Sequence, residues 1–233
     1  MKCRIAQLNI EIISRNLSLD SFCKKYRADF SKPDLVLYAS DEDLSDEKMR
    51  TPSDALDLAR LESVAICRKL ALSLHDFDGF MLHAATFSIN NQGIAFFAKS
   101  GTGKSTHMLL WKQLFRDKLE IINGDKPIVR MENGKPFAYG SPWCGKEGFS
   151  ENKSAPLTDL CFIKRSDKNA TRPLQKGEAF KLLLDQIVIP AGSENIIKVL
   201  DMLEATLDSC NLWEISCDTS LASAKESSSI ILR

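Results

Sequence analysis

The sequence predicts an α/β fold of mixed (α+β) character, built on a largely antiparallel sheet that carries a phosphate-binding loop. Three observations lead there. Gly93-Ile94-Ala95-Phe96-Phe97 is short and apolar, and it runs into a glycine-rich turn at 98–106 and then a helix-compatible segment at 106–115. That strand, turn and helix order is what a nucleotide phosphate loop requires. Only Asn90-Asn91-Gln92-Gly93 separates this strand from an apolar segment at 80–89. Strands joined so briefly pair antiparallel, whereas a doubly wound nucleotide domain uses a helical crossover. Finally, Asn133-Gly134 between two strand-like runs, 128–131 and 135–139, is a hairpin signal.

The remaining elements follow in chain order. Residues 2–13 alternate enough for a strand, 34–39 read as another, and 19–26 suit a short helix between them. The acidic stretch 41–47 reads as a solvated loop. Thr51-Pro52-Ser53-Asp54 starts a helix, with proline and acid where a first turn accepts them. It runs to about Leu74, with Leu56, Ala59, Leu70 and Leu74 facing the core, and 75–79 ends it. Residues 80–89 form one strand, which carries His83. Beyond the loop helix, 119–122 is a strand, 140–154 a long glycine-containing loop and 157–164 a strand. Helices are expected at 176–187 and 193–208, then a strand at 212–217 and a last helix. Residues 1–50 thus form a strand-rich N-terminal extension and 51–233 the phosphate-loop domain, the two making one compact unit.

Composition narrows the function classes. A hydrophobic content of 44% over 233 residues supports a substantial core. Lys plus Arg and Asp plus Glu are both 31, so no net field favours nucleic acid. The seven cysteines are scattered without a C-x-x-C pair, which argues against a disulfide framework or a zinc site. No apolar run approaches the ~20 residues that cross a bilayer, and the N-terminus lacks the apolar core of a signal peptide. A cytoplasmic protein is expected, with neither membrane nor nucleic acid as partner; oligomeric state stays open.

The loop residues are Ser100, Gly101, Thr102, Gly103, Lys104, Ser105 and Thr106. The glycines let successive N–H groups turn inward at a phosphate chain, and the helix start adds free N–H groups and its positive dipole end. Lys104 reaches the β- and γ-phosphates and the Ser105 hydroxyl ligates Mg²⁺. The usual opening glycine is Ala98 here. Asp125, after the strand at 119–122, is placed for a second Mg²⁺ contact, although Gly-Asp-Lys-Pro is also good turn chemistry. His83 precedes the loop strand, and an antiparallel partner brings it toward the phosphates; a satisfied strand histidine is the alternative. In Gly140-Ser141-Pro142-Trp143-Cys144-Gly145-Lys146-Glu147-Gly148, the length suggests a substrate loop. There Trp143, Gly145 and Lys146 are the candidates: Lys146 for phosphate, Trp143 for packing on a ligand or for anchoring an ordinary surface loop. Cys144 has no evident base to activate it. Lys164-Arg165 is either a nucleotide contact or a solvated pair at a strand end. His75 and His107 read as structural.

His83 in Met81-Leu82-His83-Ala84-Ala85, the loop from Ser100 to Thr106, and Asp125 in Asn123-Gly124-Asp125-Lys126 resemble, in that order, the catalytic domain of HPr kinase/phosphorylase and its smaller serine-kinase-like relatives. These belong with the phosphoenolpyruvate carboxykinases in one phosphate-loop group. The resemblance runs from about residue 80 to the C-terminus. It implies a loop held in a mixed sheet with antiparallel neighbours, and ATP-dependent transfer of a γ-phosphate to a serine hydroxyl of a protein, peptide or small molecule. It implies ATP and Mg²⁺ as cofactors. Lys104 would hold phosphates, Ser105 and Asp125 the metal; Asp125 would bind that metal or take the hydroxyl proton, and His83 would position or polarise the reacting groups. Where the family carries adjacent aspartates, this chain has Gly124-Asp125. That departure keeps two alternatives open: a nucleotide-binding regulatory or accessory module without transfer chemistry, and a nucleotide hydrolase.

Overall fold

A computed structural model describes residues 1–16, 18–50, 57–99 and 101–232. The expected helix start at 51–54, Leu56 and the loop residue Ser100 lie outside the described residues.

The N-terminal segment forms a three-stranded sheet. β1 (Lys2–Ile5) and β2 (Leu8–Ile13) pair antiparallel, and β3 (Leu35–Tyr38) lies parallel to β2. The single strand expected over 2–13 is therefore a hairpin. Its turn, Ala6-Gln7, has both residues at positive φ (49° and 64°), a geometry that Asn and Gly usually signal and these two do not. α1 (Ser18–Phe22) and a 3₁₀ turn, Lys24–Tyr26, fill the crossover.

The acidic stretch is helical rather than a loop: α2 spans Asp41–Arg50. Ser40 caps it, its hydroxyl accepting from the Asp43 N–H while the Asp43 carboxylate accepts from the Ser40 N–H. Three acids in the first turn suit the positive end of the dipole. Basic side chains elsewhere hold the acids: Arg15 on Asp41 at 2.6 Å, Lys69 on Asp43 at 2.5 Å, and Arg68 on the buried Glu47. α3 (Leu58–Ser73) starts at Asp57, whose carboxylate accepts from the Arg60 N–H at 2.8 Å. Its stripe of Leu61, Ala65, Ile66 and Leu70, continued by Leu74, packs against the three-stranded sheet; Ala59 is only half-buried. This core also takes in Met81, Ile128, Tyr139 and Trp143, so it reaches the larger sheet.

Nine strands form the second, mixed sheet. They are β4 (Gly79–Met81), β5 (Ala85–Ile89), β6 (Gln92–Phe97), β7 (Leu119–Asn123), β8 (Ile128–Glu132), β9 (Lys135–Tyr139), β10 (Ser154–Arg165), β11 (Ala170–Pro173) and β12 (Asn211–Cys217). Antiparallel pairing links β4-β8-β9-β10, β6-β5-β7 and β11-β12, while β6, β10 and β12 run parallel. The β5–β6 and β8–β9 turns, Asn90-Asn91 and Asn133-Gly134, have positive φ at both residues, the geometry of tight two-residue hairpins.

Side chains of β6 alternate across the pleat. Ala95 and Phe97 join Leu160 and Phe162 of β10 in one core, covered by α5 (Lys176–Leu184) and α6 (Ser193–Ser209). Ile94 and Phe96 join Cys161 and Ile163 in the other, covered by α4 (Lys104–Phe115) and α7 (Leu221–Ile231). The result is a helix–sheet–helix sandwich whose parallel strands point their carboxyl ends at the glycine-rich loop, the edge where open α/β sheets bind ligands. β11 was not foreseen: Ala-Thr-Arg-Pro is polar and mostly exposed, so it lacks an apolar strand pattern. Among the described residues, no helix is long and apolar enough to cross a membrane, and all seven cysteines are free thiols.

Candidate functional site

The segment expected as one strand over 80–89 breaks at its middle, and the break positions the site. β4 pairs with β8, whereas β5 pairs with β6 and β7, so residues 82–84 turn a corner between two parts of the sheet. Their amides find other partners: Leu82 N–H donates to Pro127 O (2.9 Å), His83 N–H to Gln186 O (2.8 Å) and Ala84 N–H to Asp125 O (3.1 Å). His83 is therefore a corner residue, not a strand residue, and its backbone is tied to the Asp125 turn.

Side chains meet there as well. His83 Nε2 lies 3.1 Å from Asp125 Oδ1. An ionised carboxylate only accepts, so Nε2 is the donor. Burial works against ionisation of Asp125, but the His83 hydrogen bond and the charges of Lys126 and Lys104 outweigh it and hold the carboxyl below its usual value. Lys126 Nζ stands 3.9 Å from Asp125 Oδ2. Lys104 Nζ points at the same corner, 3.4 Å from the His83 carbonyl oxygen. It is 9% exposed, and burial pushes its pKa down to about 8, against the pull of Asp125. A buried ammonium with one long hydrogen bond among the described residues is primed for an anion.

The loop supplies further donors. Gly101 and Gly103 have φ of +76° and +118°, which only glycine adopts without strain. Gly103 caps α4 without a side-chain hydrogen bond, so among the described residues no side chain caps the first-turn N–H groups of Lys104, Ser105 and Thr106. Thr102 N–H is used within the loop, on Lys99 O at 3.0 Å. Ser105 is half-buried and Thr106 exposed.

Asn123, which sequence reasoning passed over, holds the Asp125 turn. Its fully buried Oδ1 accepts from the N–H groups of Asp125 (2.8 Å) and Lys126 (2.7 Å). Its Nδ2 donates to the carbonyls of Ser141 (2.8 Å) and Trp143 (3.2 Å). Ser141 donates to Lys126 O at 2.5 Å, and Ser150 donates to Ser141 O at 2.8 Å. Tyr26, from the N-terminal segment, shares a 2.7 Å hydrogen bond with Ser150. One buried polar network thus joins the N-terminal unit, the long loop and Asp125. The only sequence signal for it was Asn before Gly-Asp, a side chain that satisfies backbone two and three residues on.

Within the long loop, Trp143 is an anchor: it is buried, and its Nε1–H donates to Ser63 O on α3 at 3.0 Å. Gly145 (φ +77°) lies against Asp125, where a Cβ would come within 3.2 Å of the Asp125 Cβ. Lys146 is exposed. Cys144 is buried and its thiol is pushed up by burial, the opposite of nucleophile activation. His107 is structural: it contacts Ser227 Oγ at 3.1 Å beneath α7, and burial pushes its pKa down to about 4.

The expected metal ligands, Ser105 and Asp125, are by chemistry of the kind that suits Mg²⁺ rather than a transition metal. One carboxylate and one hydroxyl are hard oxygen ligands, and Mg²⁺ completes such a shell with water and substrate phosphates. Among the described residues, no group of three or more His, Cys, Asp or Glu side chains is placed to hold a metal without such help.

No family model matches the chain, and no curated protein matches it either. Among solved structures, the HPr(Ser) kinase/phosphatase from Coxiella burnetii is similar, at 12% identity over 52% of this chain and 86% of that one, with a TM-score of 0.29.

Proposed function

We propose that this chain is an ATP-dependent kinase that transfers the γ-phosphate to a serine hydroxyl of a protein, peptide or small molecule. The observation that carries the reading is the convergence of Lys104, His83 and Asp125 at the corner beside the loop. The sequence resemblance to HPr kinase/phosphorylase gives those three residues their order and their roles. Lys104 and the uncapped amides of α4 hold the phosphates. Mg²⁺ would be held by Ser105, with Asp125 either as its second ligand or free to act as the base, and would supply charge neutralisation. The acceptor oxygen attacks the γ-phosphorus, the bond to the β–γ bridging oxygen breaks, and ADP leaves with that electron pair. The hydroxyl proton passes to the Asp125 carboxylate, which His83 orients, or, where Asp125 binds the metal instead, to solvent. Catalysis is mostly placement and charge neutralisation.

The test uses radiolabelled ATP with Mg²⁺ and two acceptors, free L-serine and a serine-containing peptide library. The wild-type protein yields phosphoserine. Asp125→Asn lowers transfer by roughly 10²–10⁴-fold, the usual range for a lost general base, while metal-free ATP binding persists. Tight ATP binding with no acceptor labelled by the wild type would instead favour the accessory-module reading.

A further inference from the structure

Parallel pairing of β6 and β10 puts their carboxyl ends side by side. In register, Phe162 of β10 faces Phe97 of β6. Three residues on, Arg165 is level with the glycine-rich loop that leaves β6. Its Nη2 lies 3.4 Å from the carbonyl oxygen of Gly101, the centre of that loop.

Its neighbours are committed elsewhere. Lys164 and Arg172 both pair with the carboxylate of Glu214 on β12, Arg172 at 2.9 Å. Among the described residues no carboxylate pairs with Arg165. A guanidinium carries five N–H donors in a planar fork that matches phosphate oxygens two at a time. Here that fork sits at the loop's rim, exposed, with one long hydrogen bond among the described residues. Lys104 approaches the loop from the buried side, from the direction of His83. The two cations therefore reach the loop from different sides.

We propose that Arg165 is a second cationic ligand of the nucleotide's polyphosphate, swinging from the Gly101 carbonyl onto phosphate oxygens when nucleotide binds. The inference rests on the nucleotide-binding part of the proposed function but needs no transfer chemistry.

The experiment is calorimetric titration of Mg-ATP, Mg-ADP and AMP into the wild type, Arg165→Gln, Arg165→Lys and the control Arg172→Gln. Charge-assisted hydrogen bonds are worth a factor of roughly ten to a hundred. Arg165→Gln should weaken Mg-ATP by that factor and leave AMP unchanged, with Arg165→Lys between it and the wild type. Arg172→Gln should bind Mg-ATP as the wild type does. Mg-ATP binding by Arg165→Gln within twofold of the wild type would overturn the assignment; so would an equal loss for AMP, or an equal loss in Arg172→Gln. If Arg165→Gln fails a circular dichroism and melting check, Arg165→Met, which also removes the charge, takes its place on the same criteria. A wild type that binds none of the three would overturn the nucleotide reading itself.

Discussion

Lys104→Met removes one charge and keeps most of the stem. In the apo protein that charge is a liability. The ammonium is buried, and its pKa falls from 10.5 to about 8. Holding it protonated at neutral pH therefore costs on the order of 3 kcal/mol relative to the unfolded chain. The sign is that of a depressed lysine. Between pH 8 and 10.5 the unfolded chain binds more protons than the native one, so stability rises with pH through that window. Below pH 8 the full cost is present. Methionine carries no such cost, so the variant should exceed the wild type by roughly 1 to 3 kcal/mol at pH 7. The gap should narrow steadily toward pH 10.5. Urea unfolding at pH 7, 9 and 10.5, followed by tryptophan fluorescence, measures it. On the proposed function, adding Mg-ATP should reverse the order, because the wild type gains more binding energy than the variant. A variant less stable than the wild type at pH 7, or a gap independent of pH, would refute the reasoning.

Other outcomes follow from the same structure. Asn123→Ala strips partners from the half-buried Asp125 and Lys126 amides and should cost about 2 kcal/mol in urea unfolding, with phosphate transfer falling at least as far as ATP binding. Tyr26→Phe removes one hydroxyl and should cost about 1 kcal/mol, and amide exchange should accelerate within residues 140–150 before it does elsewhere. His107, neutral in the fold with a pKa of about 4, takes up a proton on unfolding once the pH drops below 6.5. Stability should fall by up to about 3 kcal/mol between pH 6.5 and 4, and His107→Gln should show a shallower acid limb than the wild type in melts across that range.

The glycine-rich loop and the tight turns were legible in the sequence because their signals are local. The loop needs glycines, a lysine and a hydroxyl at fixed spacing, and the turns at Asn90-Asn91 and Asn133-Gly134 need residues that accept positive φ. His83 and Asp125 were placed by order alone, and the structure puts them 3.1 Å apart. What escaped notice depends on tertiary partners. The break at 82–84 follows from β4 and β5 pairing with different strands, which an apolar run does not reveal. α2 is helical because Arg15, Arg68 and Lys69, distant in sequence, neutralise its acids. Trp143 turned inward because Ser63 offers its indole N–H two acceptors. Arg165 reaches the loop only through the parallel register of β6 and β10.

The central claim is that the corner formed by Lys104, His83 and Asp125 passes a γ-phosphate to a serine oxygen. ³¹P NMR of Mg-ATP incubated with the protein and serine acceptors tests it most directly, because every phosphorus-containing product is seen at once. A phosphomonoester resonance should grow in step with ADP in the wild type, and both should be strongly diminished in Asp125→Asn. ADP accompanied only by inorganic phosphate, or no turnover at all, would contradict it.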